Sequence, residues 1–247
     1  MRKHIFRITI ILFSLFGCTA CFDIQEDVFF NKDGSGNFSF IINLEQVKSM
    51  MAMFDDGKSN DKVSKTKPMT KSSPNEVLNS DFEKTKLNLL KTEGISNVKI
   101  IEDTIHFKFG LSFNFKDIAV LNKAMNKLFE DDSVKSGNKE IVYFEKKDKQ
   151  LIRNEALDTK SILSKSRSIS YENDKKANNL FSGLDQLFST VSYTTNYEFE
   201  NKIESSLNTN SALSDNKKKV TIKCFPFAAL KDSTQKKCTI ANIIILK

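Results

Sequence analysis

The 247-residue sequence contains no tryptophan, only two histidines, three prolines and eight glycines. His4 lies in the extreme N-terminal segment, so His106 is the only imidazole in the rest of the chain. One histidine cannot by itself form a Ser-His-Asp triad or a two-histidine zinc site. His106 falls on the polar side of a predicted strand, and we expect a solvated side chain. We therefore predict no catalytic histidine, no metal site and no cofactor.

Long apolar runs are also scarce, and the sequence has one near its start. Residues 8–16 are almost wholly apolar and follow the basic residues Arg2, Lys3 and Arg7. A short apolar run behind a positive segment is typical of a secretory signal, and it is about half the roughly 20 residues that a membrane-spanning helix needs. We predict that residues 1–17 are a signal peptide and that residues 18–247 form an extracytoplasmic body.

The four cysteines fall into two pairs with different expected chemistry. The sequence Leu-Phe-Gly-Cys that ends at Cys18 resembles the bacterial lipobox, whose cysteine receives fatty chains such as palmitate. Cys21, preceded by Thr19 and Ala20, is the alternative lipidation site. Each buried methylene contributes about 0.8 kcal/mol, so a multiply acylated cysteine holds a protein firmly to a membrane.

Cys224 and Cys238 are a possible disulfide in an exported protein. Closing the connection between them would stabilise the fold by about 3 kcal/mol on the chain-entropy model. Pairing of these two leaves Cys18 and Cys21, of which one would be acylated. Parity of the remaining cysteines mildly favours Cys21 as the anchor, while the lipobox pattern favours Cys18.

The basic excess is mild and scattered. The chain has 38 basic and 31 acidic residues, and the signal removes three basic ones, so the body carries 35 against 31, a net +4. Nucleic-acid binding usually shows as a basic stripe, which is not seen, and we predict no nucleic-acid partner. The expected partners are the membrane, through the lipid anchor, and an unknown protein or ligand.

Apolar periodicity predicts an α+β body, an antiparallel sheet with amphipathic helices packed on one face. Alternating residues predict strands, and residues spaced three and four apart predict helices. The predicted strands are 22–30, 38–42, 98–101, 105–115, 141–144, 151–153, 191–199, 220–224 and 240–246. The predicted helices are 44–54, 81–93, one starting at Asp117, and 177–188, with a mobile polar loop at about 56–76.

Two further patterns have chemical interpretations that compete with a structural one. Residues 31–36 place Asn31, Asp33 and Ser35 as in a calcium loop, but position twelve is Ile42 where a bidentate Glu is needed, so a hairpin turn is favoured. The carboxylates of residues 55–56 and 130–132 would suit an envelope hydrolase, which is the alternative function. Their polar surroundings are more typical of solvated loops.

The sequence Cys-Phe-Asp-Ile-Gln-Glu-Asp-Val from Cys21, followed by Asn-Lys-Asp-Gly-Ser-Gly-Asn-Phe from Asn31, resembles the start of uncharacterised Bacteroidota-type lipoproteins. The resemblance implies an envelope location, an α+β fold and an anchor cysteine close to the first strand, which supports Cys21. It carries no catalytic residues. We therefore expect a membrane-anchored envelope lipoprotein, at the outer membrane or cell surface rather than the inner membrane, acting as a non-enzymatic binding or structural module.

Overall fold

A computed structural model of the protein describes residues 23–45, 74–129, 140–155, 191–226 and 239–247. These residues form eleven strands and two helices. The strands are β1 (Asp23–Phe30), β2 (Gly36–Asn43), β3 (Ile95–Asp103), β4 (Lys108–Phe115), β5 (Phe144–Lys147), β6 (Gln150–Arg153), β7 (Ser192–Phe199), β8 (Ile203–Ser206), β9 (Ser211–Leu213), β10 (Lys219–Cys224) and β11 (Asn242–Leu246). The helices are α1 (Pro74–Leu90) and α2 (Ile118–Phe129). The described part is thus mostly β, within the broad α+β class.

The larger sheet has seven strands in the order β3-β4-β2-β1-β7-β10-β9. Its central pair, β1 and β7, runs parallel, with Asp23 opposite Ser192 and Phe30 opposite Phe199. The other pairs in this sheet are antiparallel. The prediction of a purely antiparallel sheet is therefore wrong at its centre, because alternation along one strand carries no information about the direction of a distant partner.

A second, four-stranded antiparallel sheet has the order β5-β6-β11-β8. The predicted hairpin at 141–144 and 151–153 is present, although β5 starts only at Phe144. Strands β8 and β9 were not predicted. They have four and three residues, too few for alternation to stand out from the surrounding polar sequence.

Helix α1 starts at Pro74, seven residues before the predicted start. Proline is favoured in the first turn of a helix, where its missing N–H costs nothing. Residues 74–76, predicted as loop, are helical. Gly94 follows the helix with φ +87°, a conformation that glycine adopts without strain.

Helix α2 starts as predicted. Asp117 Oδ1 accepts a hydrogen bond from the Val120 N–H at 2.8 Å, which caps the free N–H groups of the first turn. The buried side of the helix carries Leu121, Ala124 and Met125. Both helices contact β4, and α2 also contacts β5 of the second sheet.

Strand β4 has the alternation that the sequence indicates, with Phe109, Leu111, Phe113 and Phe115 all buried. The strand starts at Lys108 and not at residue 105. Phe107, within the predicted strand 105–115, lies in the β3–β4 turn with φ 52°. The Leu44 N–H donates to the Phe107 carbonyl at 2.8 Å, which ties this turn to the end of β2.

Phenylalanine dominates the core. The Phe30 ring packs against Phe115, Phe144 and Phe199, with centroids 5.3–5.8 Å apart. Since Phe144 belongs to the second sheet, this cluster joins the two sheets. The described residues do not include the predicted helix at 177–188, most of the predicted helix at 44–54, most of the predicted loop at 56–76, or residues 1–17.

Candidate functional site

The two ends of the larger sheet differ in composition. At one end, called here the N-terminal end, β1 begins at Asp23, which lies between Asn43 of β2 and Ser192 of β7. The β3–β4 turn is at this end because Lys108 pairs with Asn43. The end of β10 is there too, since Cys224 pairs with Tyr193.

Two apolar side chains are exposed at the N-terminal end. Ile105, in the β3–β4 turn, is 74% exposed, and Phe225, directly after β10, is 44% exposed. Strands β4 and β10 each lie two positions from β1 in the sheet order. At about 4.8 Å per strand, the start of β1 is thus roughly 10 Å from each of them. Lys223 Nζ lies 5.9 Å from the centre of the Phe225 ring, so a basic group accompanies the apolar one.

The predicted lipidation residues, Cys18 and Cys21, lie outside the described residues, as does Cys238. Cys224 is 5% exposed and is disulfide-bonded. Its partner is one of these three cysteines, since the chain has four. The pairing of Cys224 with Cys238 therefore stays a prediction.

A buried ionic cluster lies between the two sheets. Arg153 of β6 donates from Nη2 to Glu26 Oε2 of β1 at 3.1 Å, with side chains 2% and 0% exposed. The Tyr193 hydroxyl donates to Glu26 Oε2 at 2.8 Å, and the Tyr197 hydroxyl donates to Glu26 Oε1 at 3.1 Å. The Arg153 guanidinium also lies 4.9 Å from the centre of the Phe144 ring. Every charge here has a counter-charge or a hydrogen bond, as burial requires.

The cluster shifts the pKa values of its members in the directions that burial and charge dictate. Burial alone would lower the pKa of Arg153, but the Glu26 carboxylate together with Tyr197 and Tyr193 outweighs burial, and the pKa is raised. Burial, reinforced by Glu26, raises the pKa values of Tyr193 and Tyr197. The tyrosines stay neutral donors and the arginine stays charged, so the cluster is a fixed structural link. Both ionic side chains are almost wholly shielded from solvent.

This cluster is not among the predictions from the sequence, although the sequence contains a signal for it. Glu26 interrupts the apolar register Ile24, Val28 and Phe30, and Arg153 stands two residues after buried Leu151. Opposite charges at core positions of two strands indicate a buried pair. Alternation alone does not say that the two strands belong to facing sheets.

His106 and the turn at residues 31–35, the other candidate positions from the sequence, make local hydrogen bonds within turns. His106 is exposed in the β3–β4 turn, with Nδ1 2.8 Å from Asp103 Oδ2. Its backbone N–H and then its side chain hold the pKa of Asp103 below the ordinary value. Residues 31–35 form the predicted hairpin turn, in which Asp33 Oδ1 accepts hydrogen bonds from the Ser35 N–H and hydroxyl at 2.9 and 2.7 Å. Within the described ranges, no group of three or more His, Cys, Asp or Glu residues is placed to hold a metal.

The carboxylates that would serve the alternative hydrolase, residues 55–56 and 130–132, lie outside the described residues. Neither of the two helices that the structure describes is both long and apolar enough to cross a membrane.

Comparison with known proteins adds one distant likeness. No family model matches the chain, and no curated protein matches it. Among solved structures, the chain is similar to the folded domain of the LppM protein of Mycobacterium tuberculosis, determined by NMR. The match covers 94% of this chain and 92% of that one, with a TM-score of 0.40 and 10% identity. A likeness this weak supports no functional argument.

Proposed function

We propose that the protein is an envelope lipoprotein, held to a membrane by acyl chains on Cys18 or Cys21, whose body is a non-enzymatic binding or structural module. The observation that carries the proposal is the position of β1. It starts at Asp23, five residues after Cys18 and two after Cys21, at the centre of the larger sheet. An extended chain spans at most about 3.6 Å per residue, so the lipidated cysteine lies within roughly 18 Å of the sheet from Cys18, or 7 Å from Cys21.

With an acylated cysteine this close to β1, the N-terminal end of the sheet would face the membrane surface. Ile105 and Phe225, on either side of the start of β1, are exposed at this end. Apolar side chains beside an acyl anchor would enter the headgroup region, and the lysine next to Phe225 would attract anionic headgroups. The strands of the larger sheet then stand end-on to the membrane, with the β1–β2 turn pointing away from it.

The non-enzymatic assignment rests on the chemistry of the described residues. The one buried carboxylate there, Glu26, is engaged by Arg153 and two tyrosines. The location at an outer membrane or cell surface is part of the proposal and comes from the sequence resemblance.

Substitution of the two cysteines tests the proposal and decides between them. Full-length protein carrying Cys18→Ser or Cys21→Ser would be expressed in a bacterium with lipoprotein processing, and its membrane and soluble fractions compared by immunoblot. One of the two variants is expected to leave the membrane fraction, while the other behaves as the unchanged protein. A Cys18→Ser/Cys21→Ser double variant that stays in the membrane fraction to the same extent as the unchanged protein would reject lipid anchoring.

A further inference from the structure

The end of the molecule opposite the N-terminal end contains a pocket lined with lysines. The pocket has a volume of about 100 Å³ and lies where β1 and β7 end and where the β5–β6 turn and the end of β11 meet them. Buried Phe30, Leu151 and Phe199 form its apolar floor. The ammonium-bearing side chains around it are Lys32, Lys146, Lys149 and Lys247.

The four lysines come from three segments, the β1–β2 turn, the β5–β6 hairpin and the residue after β11, and hydrogen bonds hold each segment in place. The Lys32 N–H donates to a Glu200 carboxylate oxygen at 2.9 Å. The Lys149 carbonyl accepts from the Leu246 N–H at 2.8 Å, and the Lys247 N–H donates to the Lys202 carbonyl at 3.0 Å. The fold therefore brings these side chains together across both sheets.

The Lys146 side chain ends close to Gly34, which has no side chain of its own. A Cβ built on Gly34 would lie 3.9 Å from Lys146 Nζ, and Gly34 has φ +89° in the β1–β2 turn. A glycine at this position keeps the floor below the ammonium group open, and its backbone conformation is one that other residues adopt only with strain.

Lysines outnumber acidic side chains among the described residues that line the pocket. Lys86 and Lys147 have carboxylate partners at 3.4 and 3.2 Å, whereas no carboxylate of the described part of the chain lies within 4 Å of the four pocket amines. Asp148 is the one acidic side chain among the described pocket residues. Asp33, which interacts electrostatically with Lys146, and Glu200, which accepts from the Lys32 N–H, lie beside the pocket and offset part of this charge. The excess of lysines in the lining favours a positive potential, which a bound anion would relieve.

We propose that this basic pocket binds a phosphate group. Lysine binds phosphate as a point charge without a fixed geometry, which suits a pocket lined by four lysines from three segments. The volume admits one small anion, and the apolar floor accommodates the carbon stem of a phosphate ester. The inference does not depend on lipid anchoring. Where anchoring holds, the pocket faces away from the anchoring membrane.

Calorimetric titration of the purified full-length protein in mild detergent tests the pocket. The probes are inorganic phosphate and dihexanoyl phosphatidic acid, a soluble lipid with a phosphate headgroup, each corrected with protein-free detergent. The pocket variant is Lys146→Gln/Lys149→Gln. The matched control is Lys99→Gln/Lys123→Gln, two exposed lysines on β3 and α2. All four positions are exposed, so folding is retained, and far-UV circular dichroism checks this.

We expect saturable binding of at least one probe, weakened about ten-fold or more in the pocket variant and less than about two-fold in the control. Binding of inorganic phosphate assigns the site to a small phosphate ligand, and binding of the lipid alone assigns it to a headgroup. No saturable binding of either probe, equal weakening in both variants, or equal affinity for chloride would overturn the proposal. None of these results bears on the cysteine test, so the two proposals fail separately.

Discussion

Removing the charge of Glu26 is expected to destabilise the fold more than a typical single substitution. Glu26→Gln keeps the side-chain shape but leaves the Arg153 guanidinium, 2% exposed, without a counter-charge. Breaking a buried pair from one side costs about 3–5 kcal/mol, because the remaining charge is buried and uncompensated. Small domains have a free energy of unfolding of about 5–15 kcal/mol, so the loss is a large fraction of the total.

The companion substitution is Arg153→Met, which removes the other charge and retains an unbranched side chain of similar length against the Phe144 ring. It leaves Glu26 with hydrogen bonds from the Tyr193 and Tyr197 hydroxyls only. The double variant Glu26→Gln/Arg153→Met has no uncompensated charge. Its loss is therefore expected to fall short of the sum of the two single losses by about 1–3 kcal/mol.

Equilibrium urea unfolding of the four proteins, followed by far-UV circular dichroism at pH 7, gives the free energies for this cycle. A loss below about 1 kcal/mol for Glu26→Gln, with additive effects in the double variant, would refute the view that the pair is a buried link between the sheets.

Two further substitutions probe the larger sheet and its β1–β2 turn. Gly110→Ala would place a Cβ 2.0 Å from the Phe40 carbonyl oxygen, so β2 and β4 must separate. We expect the free energy of unfolding, measured with urea, to fall by about 2 kcal/mol or more. Ser112→Ala on the same strand is the control and should change it little. A Gly110→Ala protein as stable as the original would contradict the close approach of β2 and β4. Ser35→Ala removes the main cause of the lowered pKa of Asp33, the Ser35 hydroxyl, so the pKa should rise toward its ordinary value in a carbon-13 NMR titration. The Asp33 carboxylate stabilises the native turn at pH values above its ordinary pKa, and this stabilisation is lost as the pH falls through the lowered pKa of the folded protein. The Ser35→Ala variant should therefore lose the stabilisation at a higher pH. An unchanged midpoint of the Asp33 titration would contradict this assignment.

The strands with strong alternation could be predicted from the sequence. The β1–β2 hairpin, β7 and β10 match their predicted positions within one or two residues, because an inward Phe, Val or Tyr at every second position needs a buried face. The parallel pairing of β1 and β7 could not be predicted. Their partnership is set by packing between segments far apart in the chain.

The element boundaries that differ have local causes. Helix α1 extends back to Pro74 through a polar stretch whose composition favoured a loop. Strand β4 loses its first residues because Phe107 adopts a positive φ in the turn. At the β3–β4 turn a tertiary contact, the hydrogen bond from the Leu44 N–H to the Phe107 carbonyl, overrides the local alternation.

The proposed sites differ in how far the sequence indicates them. The leader and the lipidation motif are linear, so the sequence alone predicts them. The basic pocket is not linear: its lysines are spread from Lys32 to Lys247 among 38 basic residues, and only the fold shows which four converge. The buried Glu26–Arg153 pair likewise joins positions that are far apart in the chain.

The most direct test of lipid anchoring is the intact mass of the protein extracted from its native membrane, with and without reductant. We predict a chain that begins at Cys18 or Cys21 and carries the added mass of its acyl chains, together with the two-proton difference of a disulfide that includes Cys224. An unmodified chain that begins at Met1 and is recovered from the soluble interior of the cell would contradict it.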